Sequence, residues 1–444
     1  MKPSRRKFIR QTALSTLGIG ALSIEPSMAW SKKIPPSDQV NVALIGCNGH
    51  GFSILRHHLQ VPGVHCVAIA DVDQNVLERR SQEIKNSHGH QPKQYADFRK
   101  LLENKDIDAV IIGTPDHWHC LQMVYACQAD KDVYVEKPLA NSIGECQIMV
   151  DAANYYKRVV QVGQQQRSGY TFMEPIRLIK EGHIGKIRKV NIWSNFNYGT
   201  GAVPAKDDEI PQGVDYNFWL GPAPKRPFNR NRFHGSWRHF WDYGGGLMSD
   251  WGVHLLDMGI WAMNNPKAPG KVITQASNTS SDIRNRETFD SMAVLYPHDE
   301  FTIQWDMLGG IQQGPYGKPY GIAFIGERAT IVADRRSFEI FPEWDNDKKG
   351  PKIDPLSFTE GRESHNLHVE NFVDCVKSRK SPICPPETGR IAALYAHIPN
   401  ISGRIGESVL EWDDQKQVFK NNQRANDFIL PTYRSPWEIP KIPK

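Results

Sequence analysis

From Val40 the chain runs Val-Asn-Val-Ala-Leu-Ile straight into Gly46-Cys47-Asn48-Gly49-His50-Gly51, a junction that few folds accept. An apolar strand that ends in closely spaced glycines and continues as a helix presents bare backbone N–H groups at the positive end of a helix dipole. A pyrophosphate binds in such a place. The helix-like stretch Phe52 to Gln60 follows, and a second strand, His65 to Ala70, ends at Asp71. An acid about twenty residues past the last glycine accepts hydrogen bonds from an adenosine ribose and repels a 2′-phosphate, which favours NAD over NADP. Gly46, Asn48, Gly49, His50, Gly51 and Asp71 are therefore the first candidate cofactor contacts. Asn48 stands where the usual pattern has its middle glycine, and Asn tolerates left-handed backbone better than most residues.

The same strand-and-helix rhythm continues. Strands are predicted at Ala109 to Ile112, Val133 to Val135 and Val159 to Val162, with helices at Asn75 to Ser87, Leu121 to Ala129 and Ile143 to Lys157. That alternation predicts an α/β fold with a parallel, doubly wound sheet. Such sheets bind ligands at the carboxyl ends of their strands. Glu136 and Lys137, followed by Pro138, end one strand and so face the crevice. Thr114-Pro115-Asp116-His117-Trp118-His119 ends another, which places Thr114, Pro115, His117 and His119 beside the cofactor. His117 and His119 alternate like metal ligands, but no neighbouring Cys/His cluster completes a tetrahedral set, so no metal is expected. Further on lies Gly244-Gly245-Gly246-Leu247-Met248-Ser249-Asp250-Trp251-Gly252-Val253-His254-Leu255-Leu256-Asp257. Its glycine run lets backbone approach a ligand. Read as a helix, the remainder puts Asp250, His254 and Asp257 on one face.

Taken together, these motifs resemble the glucose–fructose oxidoreductase / inositol dehydrogenase family (Gfo/Idh/MocA), over essentially everything after residue 38. The resemblance implies an NAD-binding Rossmann domain at 38–163. It also implies an α+β domain at 164–444 whose open, mainly antiparallel sheet carries the substrate site and could join two copies of the chain. A length of 444 residues suits two domains. Candidate strands of the second sheet are Ile187 to Tyr198, Val272 to Ser277, Met292 to Tyr296, Thr302 to Met307 and Ala329 to Ala333. Late helices at Leu367 to Lys377 and Ile391 to Gly403 are expected to pack back on the body, and a proline-rich tail from Tyr433 to lie extended. The family's catalytic lysine, aspartate and histidine fall on Lys137, Asp250 and His254. Oxidising a secondary alcohol needs a base for the hydroxyl proton and a cation for the developing alkoxide. Whether Lys137 or His254 takes the proton stays open.

Between Trp193 and Trp241 aromatic residues alternate with Arg226, Arg230, Arg232 and Arg238, a mixture suited to the apolar faces and hydroxyl rims of sugars. Most of those rings are expected in the core. Gln165, Arg167, Trp237, Arg238 and Tyr243 are the candidate substrate contacts, beside Asp250 and His254. Three functions remain: an NAD-dependent sugar or glycoside dehydrogenase that recycles a tightly held cofactor, a glycosidase working by transient oxidation and elimination, and a non-catalytic sugar-binding relative. Lys137 argues against the second, because the resemblance associates that branch with another residue there. Intact Lys137, Asp250 and His254 argue against the third.

Before this region stands Ser4-Arg5-Arg6-Lys7-Phe8-Ile9-Arg10, then a modest apolar stretch from Ala13 to Ile24 and small residues at Ser27 and Ala29. That pattern reads as a Tat export signal spanning 1–29 and implies a periplasmic protein folded before export, with the Tat machinery as a partner. The apolar stretch is short for a membrane span, so no lasting membrane insertion is expected. Removing the segment takes five basic residues and one acidic from totals of 54 and 49, leaving 49 and 48. So balanced a chain has no electrostatic claim on nucleic acid. The cysteines, Cys47, Cys66, Cys120, Cys127, Cys146, Cys375 and Cys384, read as core thiols of a protein folded in a reducing compartment, with a Cys375–Cys384 disulfide left open. Replacing Arg5 and Arg6 with lysine should hold the full-length precursor in the cytoplasm. Cell fractionation checks this, and unchanged export would exclude the twin-arginine route.

Overall fold

A computed structural model describes residues 38–280, 284–359 and 364–443, so the segment read as an export signal lies outside the described residues. The first sheet has six parallel strands: β1 (Val40–Ile45), β2 (Val64–Ala70), β3 (Lys93–Tyr95), β4 (Ala109–Ile112), β5 (Asp132–Val135) and β6 (Val160–Val162), in the order β3-β2-β1-β4-β5-β6. Helices α1 (Gly49–His58), α2 (Gln74–His88), α3 (Phe98–Leu102), α4 (Asp116–Gln128) and α5 (Ile143–Tyr155) connect them. With helices on both faces, strands such as β4 and β5 are buried at every position, which is why they read as unbroken apolar runs. β3 and α3 are additional to the expected elements. Three polar-edged residues and one and a half helical turns leave too little periodicity to read. The strand order reverses between β1 and β4, and that opens a crevice at their carboxyl ends.

After α6 (Tyr170–Lys180) come β7 (Ile187–Phe196), α7 (Tyr216–Leu220), α8 (Val253–Ala262), β8 (Lys271–Ser277), β9 (Ser291–Pro297), β10 (Thr302–Gly309), β11 (Tyr320–Gly326), β12 (Ala329–Ala333) and β13 (Ser337–Pro342). A short ribbon, β14 (Trp344–Asp345) with β15 (Gly350–Pro351), precedes β16 (Leu356–Thr359); β17 (Val409–Asp413) and β18 (Val418–Phe419) follow much later. The large sheet runs β16-β13-β12-β11-β7-β10-β9-β8-β17-β18 and is mainly antiparallel, with β7 and β10 parallel. Along β8, β9 and β10 burial alternates. Val272, Val294 and Trp305 pack inward, whereas Ile273, Leu295 and Leu308 lie on the open face. β11 escaped the sequence pattern because Ala323 is covered by Trp193 and Val332 on one side while Ile322 and Phe324 join the main core on the other. A strand buried on both faces does not alternate. The final two residues expected in β7, Asn197 and Tyr198, turn out of the sheet in a 3₁₀ turn.

Two late helices lock the sheets together. Val369, Phe372 and Val373 of α9 (Ser364–Ser378) fill the core beside β1 and β2, so this helix completes the Rossmann layer although it comes from the far end of the chain. α10 (Pro386–Ile405) is wedged among α5, α8 and β8, with Ala393 in one domain's core and Leu394 in the other's. In the tail, Arg434 donates to the carbonyls of Gly221, Ala223 and Asn217, and Trp437 meets Trp118 at 4.9 Å. Among the described residues no helix is long and apolar enough to cross a membrane. All seven cysteines are buried and free, so Cys375 and Cys384 form no disulfide.

Arg167 departs from its expected role. Its guanidinium forks onto Asp257 at 2.8 and 2.6 Å, with side chains only 5% and 1% exposed. It stacks on Trp261 instead of lining the crevice. Arg167→Met should therefore destabilise the protein by about 3–5 kcal/mol, because Asp257 is left charged and unpaired, and Arg167→Met/Asp257→Leu should recover much of the loss. Denaturant unfolding of the two variants checks this.

Candidate active site

A cleft of about 280 Å³ runs along the carboxyl ends of the first sheet. Its floor is the glycine loop. Gly46 has φ +87°, and a Cβ on Gly51 would stand 2.1 Å from the Gly46 carbonyl, so neither position accepts a side chain. Asn48 is extended, with φ −89°, not left-handed; Gly49 takes the positive φ instead. Asn48 caps α1 without a side-chain hydrogen bond and no acid occupies the first turn, so the leading amides of α1 are open to an anion. Asp71 closes this end of the cleft. Its carboxylate accepts from the amides of Cys47 at 2.6 Å and Asp73 at 3.1 Å, which ties the loop to the end of β2. The second domain roofs the cleft with His234, Gly235, Trp237 and Arg238, and His234 Nε2 lies 2.9 Å from Asp73.

At the other end the two domains meet through charge. Lys137, which follows β5, donates from Nζ to the Asp250 carboxylate at 2.6 Å and to the Asp250 carbonyl at 3.0 Å. Arg238 Nε donates to the same carboxylate at 3.2 Å, and the Tyr198 hydroxyl donates to it at 2.9 Å. Burial opposes ionisation of Asp250, but Lys137 and Arg238 overcome it and hold the carboxyl far below the usual range. Glu136, in contact with His50 at 3.2 Å, follows the same logic: burial raises it, His50 and Lys137 prevail, and it settles at about 2. A Cβ on Gly163 would lie 2.6 Å from its carboxylate, so that glycine makes its room.

Asp250 belongs to a π-helical turn, Met248–Gly252, which α8 continues, so it does not share a regular helix face with His254 and Asp257. Asp257 turns to Arg167. His254 is 4% exposed, and its Nδ1 has no partner among the described residues, so it does not donate to the Asp250 carboxylate through that atom. Burial, then Lys137 and Arg335, push its pKa well below 6.5 and leave a neutral imidazole beside a lysine and a carboxylate. A neutral imidazole can accept a proton.

Other expected contacts divide. Thr114 and Pro115 line the cleft, and so do Trp237 and Arg238. His117 lies behind it, against the Trp219 carbonyl at 3.1 Å, and His119 sits between the carbonyls of Pro138 and Thr114 at 2.8 and 3.0 Å. Both rings support the backbone, and among the described residues no group of three His, Cys, Asp or Glu side chains is placed to hold a metal. Tyr243 is fully buried in a cluster with Tyr216, Trp219, Phe228, Phe233, Trp237 and Phe240, and Gln165 is buried after β6, outside the cleft lining. Residues that sequence reasoning passed over also converge here. Tyr198 and Arg335 come from distant turns. Asp116 stood inside a recognised motif, between Pro115 and His117, and lines the cleft at 5% exposure. Burial pushes its pKa up to about 8, against the pull of Arg238 and Lys137.

Asp116 is thus protonated when folded at neutral pH but ionised when unfolded, where its pKa is about 3.9. Folding takes up a proton, so this group lowers stability as pH rises from about 4 to 8. Asp116→Asn should match the parent's melting temperature near pH 4 and exceed it increasingly up to pH 8. Thermal unfolding across that range checks it.

Models of an oxidoreductase family match the chain in two pieces: its NAD-binding Rossmann fold at residues 40–164 and its C-terminal alpha/beta domain at 170–308. A curated relative, the glycosyl hydrolase family 109 protein of Shewanella pealeana, is 29% identical over 204 residues, 42% of this chain and 45% of that protein. The chain therefore matches less than half the length of that relative. A levoglucosan dehydrogenase solved with NADH and levoglucosan superposes with a TM-score of 0.65 at 17% identity, covering 84% of this chain and 99% of the other. Aldose–aldose oxidoreductase from Caulobacter crescentus, solved with glycerol, gives 0.63 at 17% identity over the same shares.

Proposed function

We propose that this chain, which belongs to the Gfo/Idh/MocA oxidoreductase family, oxidises a secondary hydroxyl of a sugar or glycoside with NAD. One observation carries the reading: Lys137, which lines the cleft, and Asp250 of the second domain form a bridge whose charges act on a buried His254 with its Nδ1 unpartnered among the described residues. The cleft fits the cofactor. The amides opening α1 would hold its pyrophosphate, Asp71 the adenosine ribose, and Glu136 and Lys137 the nicotinamide ribose. NAD supplies a hydride acceptor there. The protein's own contribution is to orient the hydroxyl and take its proton. Lys137 and Asp250 position the reacting oxygen, Lys137 stabilises negative charge on it, and His254 accepts the proton. Export through the twin-arginine segment is part of the proposal. A preloaded, recycled cofactor then answers the scarcity of free NAD outside the cytoplasm.

The curated glycosyl hydrolase relative favours a second reading, cleavage by transient oxidation and elimination from the same site. Incubating the purified protein with NAD or NADP and a panel of glycosides separates the two: a keto-sugar product supports the first, released aglycone the second. NAD should be the better acceptor. Lys137→Ala and His254→Ala should each lower hydride transfer by about two to four orders of magnitude while leaving NAD affinity nearly unchanged, with the double variant little worse than either. Because the folded His254 pKa is depressed, the parent should keep its activity below pH 6. Near-parental turnover in both single variants would remove the chemistry from this site.

A further inference from the structure

Arg335 differs from the arginines that hold a buried carboxylate or answer one across an ion pair. It lies in the turn between β12 and β13, half-buried, with its Nε wholly enclosed and unpartnered among the described residues. Arg167, Arg286 and Arg390 each hold a carboxylate at 2.5–2.7 Å. No carboxylate among the described residues lies within ion-pair distance of Arg335. The neighbouring Asp334 is already taken by Lys318 at 2.9 Å, and Asp250 by Lys137 and Arg238. The guanidinium carbon instead lies over the Trp251 ring, 4.3 Å from its centre. Trp251 in turn packs on Phe196 and Tyr320, both at 4.5 Å, and its ring centre lies 6.0 Å from that of His254. Burial lowers the Arg335 pKa, and Tyr320, Asp250, Tyr198 and Glu136 raise it without cancelling that effect; His254 and His365 face it as well.

Such a placement is costly unless something negative completes it. Without a carboxylate, the enclosed Nε of this half-buried guanidinium has lost water, and the group has gained a ring face in return. The surrounding charges do not repay the loss. Lys137, Arg238 and Arg335 face two ionised carboxylates, Asp250 and Glu136, while Asp116 stays protonated at neutral pH with a pKa of about 8. The site therefore keeps one uncompensated positive charge before any ligand enters. Placed over Trp251, the guanidinium offers the planar fork of N–H donors that a carboxylate meets edge-on.

We propose that Arg335 is a specificity-determining residue that pairs with an anionic group on the sugar, a carboxylate such as that of a glycosiduronate, while the hydroxyl being oxidised lies at Lys137, Asp250 and His254. This rests on the dehydrogenase reading for the reaction, but not for the binding.

The test pairs sugars that differ at one position, a neutral methyl glycoside, the corresponding uronate and the corresponding 6-phosphate. Hydride transfer is followed with NAD, and equilibrium binding by calorimetry without NAD. The parent should prefer one of the anionic sugars in kcat/KM, the uronate for a carboxylate site and the 6-phosphate for a phosphate site. Arg335→Gln should lower kcat/KM for the preferred anion about 100-fold, mainly through KM, and lower it far less for the neutral glycoside. Arg335→Lys, which keeps the charge but not the fork, should retain part of the preference. Anionic sugars that bind in an Arg335-dependent way but are not oxidised would sustain this inference and overturn the dehydrogenase reading. Oxidation of the neutral glycoside as well as or better than both anions, an equal loss for all sugars in Arg335→Gln, or no binding of either anion would overturn the inference itself.

Discussion

The bridge between Lys137 and Asp250 is the interaction on which the arrangement of the site depends. Lys137 is carried by the end of β5, Asp250 by the π-helical turn ahead of α8, and the two are joined by charge at 2.6 Å. Arg238 and Tyr198 reach the same carboxylate from two further segments. One buried anion thus fixes four pieces of backbone relative to each other. Desolvating Asp250 is unfavourable by itself, and the same low-dielectric surroundings make each of its charged contacts strong. Removing one donor from such a cluster leaves a charge with nowhere to go, so the geometry is held more tightly than a solvent-exposed ion pair would hold it.

Around that bridge, similar degrees of burial produce opposite protonation states. Glu136 and Asp250 remain ionised because cations stand against them, whereas Asp116, in the same crevice, is protonated because burial outweighs the pull of Arg238 and Lys137, both of which are paired with Asp250. His254 is neutral for the complementary reason: burial disfavours its charged form, and Lys137 and Arg335 add more to that than Asp250 takes away. Pairs of titratable groups driven apart by their surroundings are how a site supplies acid, base and fixed charge at one pH. Both domains supply this tuning, Lys137 and His50 from the first and Arg238 and Arg335 from the second.

The two domains are made interdependent by segments far apart in the chain. α9 returns to finish the hydrophobic core beside β1 and β2, α10 contributes to both cores, and the tail carries Trp437 onto Trp118 and Phe218, whose rings also line the cleft. The aromatic cluster from Tyr216 to Tyr243 serves mainly as packing beneath the roof of the cleft; Trp219 and Trp237 are its members that reach the cavity. An isolated Rossmann segment would expose the faces that α9 and the aromatic cluster cover.

What the chain determines by itself is local. The run from β1 through the glycine loop to α1, β2 and Asp71 was legible because strand, turn and helix signals lie within a few residues of one another. Glu136, Lys137, Asp250 and His254 stood out because motifs mark them. The cysteines read correctly as buried thiols from their apolar surroundings. β11 did not read because it is covered on both faces, and β3 and α3 did not because they are too short to carry a period. Arg167 and Arg335 show the limit most clearly. Nothing near either in sequence says that one meets Asp257, ninety positions away, while the other lies over a tryptophan ring. Local spacing chooses which residues end a strand or open a helix. Whether a charged side chain is paired, and whether a carboxyl such as Asp116 keeps its proton, depends on groups that only tertiary packing brings within a few ångströms, where Coulomb and desolvation energies are large enough to decide.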